Sequence, residues 1–329
     1  MRRQGVNIAI LLMLGALATA SPAEAASTKV TTKAIEAEPA DDPGGSSATN
    51  ADPAYAAFDD GRYLTALDLA TKAAASGQAS AATLVGRLYA EGLGVARDPA
   101  NAATWYRKGA DLGDPNAKFE LGLLTVKGTG VAKDPAKAAD LFEAAAAAGS
   151  MPAKYNLGLL LASGNGRPED DTKAAKLIGE AANAGDPQAR YDLGQMYANG
   201  AGVIDDDFQA AHWIGLAAEA GLPDAQADYA TLLFKGHGVA KDLTRAAWFF
   251  NAAAEKGNPV AQNRLAHLYA AGIVYAQDLE TAAKWHLLAR RAGISDGWLD
   301  KLLGDITPEQ LKQAQTEADA WVERVAPAP

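Results

Sequence analysis

The sequence predicts an all-α protein, an α/α solenoid of antiparallel helix pairs stacked in a line. Three observations predict it. One pattern recurs six times at intervals of 36 residues. Within each copy, apolar residues spaced by three and four mark one face of a helix. Glycine and aspartate stand at fixed places where helices stop and start. Ala81, Ala117, Ala153, Ala189, Ala225 and Ala261 form one column, and Gly92, Gly128, Gly164, Gly200, Gly236 and Gly272 a second. Asp98, Asp134, Asp170, Asp206, Asp242 and Asp278 form a third, and Gly113, Gly149, Gly185, Gly221, Gly257 and Gly293 a fourth. A fixed period of this length belongs to arrays whose units bury their apolar faces only against neighbours.

Residues 1–25 read as an export signal: Arg2 and Arg3, an apolar run from Ile8 to Leu17, then Ala23-Glu24-Ala25 as a small-x-small cleavage site. Residues 26–52 are rich in Ala, Thr, Ser, Pro, Gly and Asp and read as a disordered linker. Residues 53–77 read as a capping hairpin, because Ala66 and Gly77 fall one period before Ala102 and Gly113. Residues 78–293 hold the six repeats. In each, a first helix runs in the register of Ala81 to Tyr89, with Val85 and Leu88 and their equivalents on one face. The second helix starts at the aspartate column, since a carboxylate accepts hydrogen bonds from the free N–H groups of a first turn. It stops at the fourth-column glycine, which tolerates the left-handed conformation. Gly86, Gly122, Gly158 and Gly194 lie inside first helices and imply close helix approach. Trp105, Leu141, Leu177, Trp213, Phe249 and Trp285 are expected to wedge between hairpins. Residues 294–325 read as C-terminal capping helices, the last opened by the capping-box pattern Thr307-Pro308-Glu309-Gln310. Residues 326–329 are a tail.

Composition narrows the function. Among 329 residues there are 40 acidic and 30 basic ones, a net charge of -10. A nucleic-acid binder would show a basic face, so that class is excluded from the reading. There is no cysteine, hence no disulfide and no lipoprotein anchor. With the signal, this points to a Gram-negative periplasm or to secretion, with no integral membrane domain after cleavage.

The Ala-x-x-x-Leu-Gly, Gly-x-Gly-Val, Asp-x-x-x-Ala-Ala and Ala-x-x-Gly elements together resemble the Sel-one-like repeat family, relatives of the tetratricopeptide repeats. Gly128-Thr129-Gly130-Val131-Ala132-Lys133-Asp134 carries the turn most fully. The resemblance implies a right-handed superhelix with first helices lining a concave side, and adaptor or scaffold work in bacterial envelope processes, signalling or host interaction. It brings no catalytic motif.

The residues add none. No phosphate loop, Ser-x-x-Lys or His-Glu-x-x-His occurs. The four histidines, His212, His237, His267 and His286, are scattered, so no metal site and no cofactor is predicted. Glu169-Asp170-Asp171 and Asp205-Asp206-Asp207 sit where N-caps are needed and lack the alternating oxygens of a calcium loop. The candidate site is a stripe on the first helices: Phe119, Leu123, Tyr155, Leu159, Tyr191 and Gln195, expected to face the concave side and bind a protein or peptide. The competing reading has these side chains filling gaps between first helices. The expected function is a non-enzymatic periplasmic adaptor, with peptidoglycan or glycan binding, or penicillin binding, as alternatives.

Overall fold

The computed structural model describes residues 52–325. The signal, the linker up to residue 51 and the tail lie outside the described residues. Those described form sixteen helices and no strand. An opening hairpin, α1 (Pro53–Asp59) and α2 (Tyr63–Ala75), precedes six more. These are α3 (Ala79–Glu91) with α4 (Pro99–Asp111), α5 (Pro115–Lys127) with α6 (Pro135–Ala147), and α7 (Met151–Ala162) with α8 (Asp171–Asn183). Then come α9 (Pro187–Asn199) with α10 (Asp207–Glu219), α11 (Pro223–Lys235) with α12 (Leu243–Glu255), and α13 (Pro259–Ala271) with α14 (Leu279–Arg291). Helices α15 (Gly297–Asp305) and α16 (Pro308–Val325) close the chain. Two compact units result. One holds the described residues up to Ala189 with Ala201–Val203, the other Arg190–Gly200 with the chain from Ile204 onward. Within each unit most successive helices pack on one another in chain order, and α16 packs on α14.

The turn inside the repeats follows one plan, except that α7 ends one residue early on Ser163. Gly92 ends α3 at φ +75°, where its N–H reaches Leu88 O, and Gly128 and Gly236 end α5 and α11 alike. The chain then doubles back, and the aspartate amide bonds to the first helix: Asp98 N to Tyr89 O at 2.9 Å, Asp242 N to Leu233 O at 3.0 Å, Asp278 N to Tyr269 O at 3.1 Å. The same aspartates cap the second helices. Asp98 accepts from Ala100 N and Asn101 N, Asp134 from Lys137 N, Asp170 from Lys173 N, and Asp206 from Phe208 N and Gln209 N. The acidic runs around Asp170 and Asp206 thus supply caps. The first helices begin two residues before the expected Ala81 register, and four of the six open on a proline, Pro115, Pro187, Pro223 and Pro259, which suits that place.

The core corrects one expectation. Trp105, Leu141, Leu177 and Trp213 are only partly buried, although Phe249 and Trp285 are deep. A deep large residue stands one position later in every repeat, Tyr106, Phe142, Ile178, Ile214, Phe250 and His286, and in the last two both positions are buried. One residue is about 100° around a helix, so this neighbour points at the first helix of its own hairpin. There it meets the small column. A Cβ built on Gly86 would lie 2.6 Å from Tyr106, on Gly122 2.6 Å from Phe142, on Gly158 2.7 Å from Ile178, and on Gly194 2.6 Å from Ile214. Trp105 packs on the apolar cluster of α1, α2 and α3, and Leu141 on that of α4 and α5, so both lie between neighbouring hairpins as expected, without being deeply buried.

The last hairpin differs. His286, fully buried, occupies the place of phenylalanine, and its Nε2 lies 3.0 Å from Asp300 Oδ1 on α15. Burial lowers its pKa below the usual histidine value, against the opposing pull of Asp300 and Asp296; Arg290 adds to the lowering. The ring is therefore neutral and donates to Asp300, leaving Nδ1 buried with no partner among the described residues. Helix α16 covers α14 with Ala314, Ala318 and Trp321. Trp321 Nε1 donates to Glu255 Oε2 at 3.0 Å, and Thr307 and Gln310 exchange reciprocal capping bonds.

Two outcomes follow for stability. Phe142→Ala should cost roughly 3–5 kcal/mol, while Leu141→Ala should cost about 1 kcal/mol; urea melts of the two variants separate the registers, and equal losses would contradict this packing. For His286, the depressed folded pKa means that the unfolded chain takes up the proton first. Its share of stability is complete above pH about 6.5 and is lost as pH falls through the lower folded value. His286→Phe should flatten the decline in melting temperature just below that pH; an unchanged decline would clear the histidine.

Candidate functional site

The first helices carry two columns flanking the core column, and the structure places them in detail. In the N-terminal unit, Tyr155 is 3% and Leu159 9% exposed. These two fill space between helices. Phe119 and Leu123, on α5, are half-buried; the Phe119 ring lies 5.9 Å from Phe142, tilted by 44°. Leu123 and Phe119 are one helical turn apart and keep part of their apolar surface in solvent. One repeat earlier the equivalent places hold Thr83 and Arg87. Thr83 Oγ1 donates to Asp114 at the start of α5. Arg87 pairs with Glu91 at 2.7 Å and lies over the Phe58 ring.

In the C-terminal unit the same two columns form a polar ladder. Tyr191 OH donates to Asp228 Oδ2 at 2.7 Å, and Gln195 Nε2 donates to the same oxygen at 2.9 Å. Burial, then the Asp228 carboxylate, raise the Tyr191 phenol well above its ordinary value, so it stays a donor. At the far end Asn263 Nδ2 donates to Asp296 Oδ2 at 3.0 Å, and His267 Nε2 lies 2.7 Å from that oxygen. Asp296 Oδ1 meanwhile accepts from Trp298 N and Leu299 N as the N-cap of α15. Burial alone would raise the Asp296 pKa, but the bonds from His267 and Asn263 outweigh it and hold the carboxyl well below the usual range. His267 is stacked on Trp298, with centroids 5.1 Å apart.

The six residues of the predicted stripe are therefore not equivalent. Phe119 and Leu123 retain surface, Tyr155 and Leu159 are buried, and Tyr191 and Gln195 are bound to Asp228. Sequence reasoning missed Asp228 and Asp296 as the partners of these columns. A signal existed: the column Leu84, Glu120, Asn156, Asp192, Asp228, Arg264 is polar from its second member on, yet lies on the packed side of a helix. Glu120 in that column is raised in pKa by burial, against the pull of Arg87. Among the described residues no group of three or more His, Asp or Glu side chains is placed to hold a metal ion. No described helix is long and apolar enough to cross a membrane.

Comparison with known proteins agrees with this geometry. The Sel1 repeat profile matches six times, at residues 79–114, 115–150, 152–186, 187–222, 223–258 and 259–294. Among solved structures, a Sel1 repeat protein from Oxalobacter formigenes is 33% identical with a TM-score of 0.66, over 74% of this chain and 100% of its own. The protein c5321, a protective antigen of uropathogenic Escherichia coli with an SLR fold, is 27% identical with a TM-score of 0.56, over 80% of this chain and 65% of its own. No curated protein matches significantly. The chain belongs to the Sel1 repeat family, and its six repeats make it a helical-repeat scaffold of the kind that mediates protein interaction.

Proposed function

We propose that this protein is a non-enzymatic periplasmic adaptor that binds a protein or peptide on the first-helix face of its repeats. The observation that carries the reading is the pair Phe119 and Leu123: apolar, adjacent, on a rigid helix, and only half-buried. A core position would have been closed over, as Tyr155 and Leu159 are one repeat later. Apolar anchors on a rigid array suit a partner segment, because the scaffold loses little conformational entropy on binding. The export signal and the lack of cysteine support the envelope as the place of work, and the absence of a nucleophile or phosphate-loop motif in the sequence supports a binding role.

The test is capture from an envelope extract with the full chain as bait. A partner should be retained by the wild type and lost, at least tenfold, by Leu123→Ser, with a melting temperature within a few degrees of the parent. A partner held equally by both baits would move the site elsewhere. Retention of peptidoglycan, with no protein retained, would replace the reading by wall binding.

A further inference from the structure

The polar ladder of the C-terminal unit is interrupted at one step. Asp228 receives Tyr191 and Gln195 from the preceding first helix. Thirty-six residues on, all three members change: Tyr191 becomes Ala227, Gln195 becomes Thr231, and Asp228 becomes Arg264. Two long side chains that filled the step are replaced by short ones, and the carboxylate that anchored it by a cation. The result is a cleft between α11 and α13, lined by Thr231, Phe234, Lys235, Phe250, Arg264 and Leu268.

Arg264 is the unusual member. Its Nη1 is buried with no hydrogen-bond partner among the described residues. The Thr231 hydroxyl is spent on Ala227 O at 3.0 Å. The acid that faces Arg264 electrostatically is Asp296, whose two oxygens are already shared among His267, Asn263 and the first amides of α15. A buried guanidinium nitrogen left without an acceptor costs stability, and Arg264 is the cation so placed among the described buried side chains. The exposed Lys235 supplies a second positive charge at the same cleft, in a chain of net charge -10. The space inside the cleft is about 10 Å³, room for roughly one oxygen atom. A ligand would therefore sit at the mouth, beside the exposed Lys235, with at most a single oxygen inside.

We propose that this cleft is a carboxylate-binding subsite, in which Arg264 and Lys235 receive an acidic side chain or the free C-terminus of a bound peptide. The assignment rests on the peptide-binding function proposed above and names the chemistry of part of its partner. Guanidinium and carboxylate match in shape and charge, and the flanking phenylalanines fit the apolar carbons that carry the carboxylate.

Two measurements on the full chain test it. In thermal melts at constant ionic strength, acetate at tens of millimolar should raise the melting temperature of the wild type and leave Arg264→Gln unmoved. Without added anion, Arg264→Gln should melt at or above the wild type, since it removes an unpaired buried charge. Inorganic phosphate stabilising the wild type where acetate does not would overturn the carboxylate assignment, as would no response to either. In the second, a random peptide library with free C-termini is selected on each form. Wild-type binders should be enriched in Asp and Glu or depend on the free C-terminus, and should bind Arg264→Gln at least tenfold and Lys235→Gln several-fold more weakly. Binders that show no such preference, or ignore Arg264→Gln, overturn the subsite and leave peptide binding standing. A selection that yields no binder at all removes the parent reading, and the subsite with it.

Discussion

The contact between a helical glycine and the large side chain across its hairpin is the constraint on which the remaining geometry depends. With a Cβ only 2.6 Å from the Tyr106 ring at Gly86 or the Phe142 ring at Gly122, the two helices of these repeats stand closer than a larger residue permits without a shift of the facing ring. Glycine in a helix costs about 1 kcal/mol relative to alanine. A fully buried aromatic returns more than that, at roughly 25 cal/mol per Å² of apolar surface. Where the glycine gives way to Ala230 and Ala266, the facing side chains Phe250 and His286 remain buried, so the contact accommodates one methyl group.

Close approach requires a turn that reverses the chain without pushing the helices apart. The left-handed glycine at the end of the first helix and the aspartate amide bonded back to that helix, as Asp98 is to Tyr89, provide it. The same aspartate then caps the second helix. One residue thereby fixes both where the turn ends and where the next helix begins, which is why its spacing tolerates no drift over six copies. In the sixth copy Val274 replaces the second turn glycine and still adopts φ +67°. The turn is imposed by its flanking bonds even on a residue that disfavours it.

This explains what was readable in the sequence. Caps, turns and helix faces depend on a residue's own chemistry and its local spacing, so Asp98, Gly92 and the Val85 face could be placed from the chain alone. The deep core position could not be told from its neighbour. Trp105 and Tyr106 are both large and adjacent, and only the crossing of the two helices decides which meets Gly86. The candidate stripe suffered from the same limit. Tyr155 and Tyr191 are identical in sequence position within their repeats, yet one is buried and the other is only half-buried, because the side chains around them vary from repeat to repeat.

That variation is where specificity resides in an array of this kind. The hairpin framework repeats because its glycine contacts and aspartate caps are local to each unit. The flanking columns touch the next unit and escape that restriction, so each step is free to be apolar, as at Phe119 and Leu123, or a ladder, as at Tyr191 and Asp228. A step whose polar groups are all paired is complete in itself and offers a partner little. A step left short of an acceptor, as at Arg264, is costly in the free protein. In this array the step at Arg264 stands apart from its neighbours by carrying a cation where they carry a carboxylate.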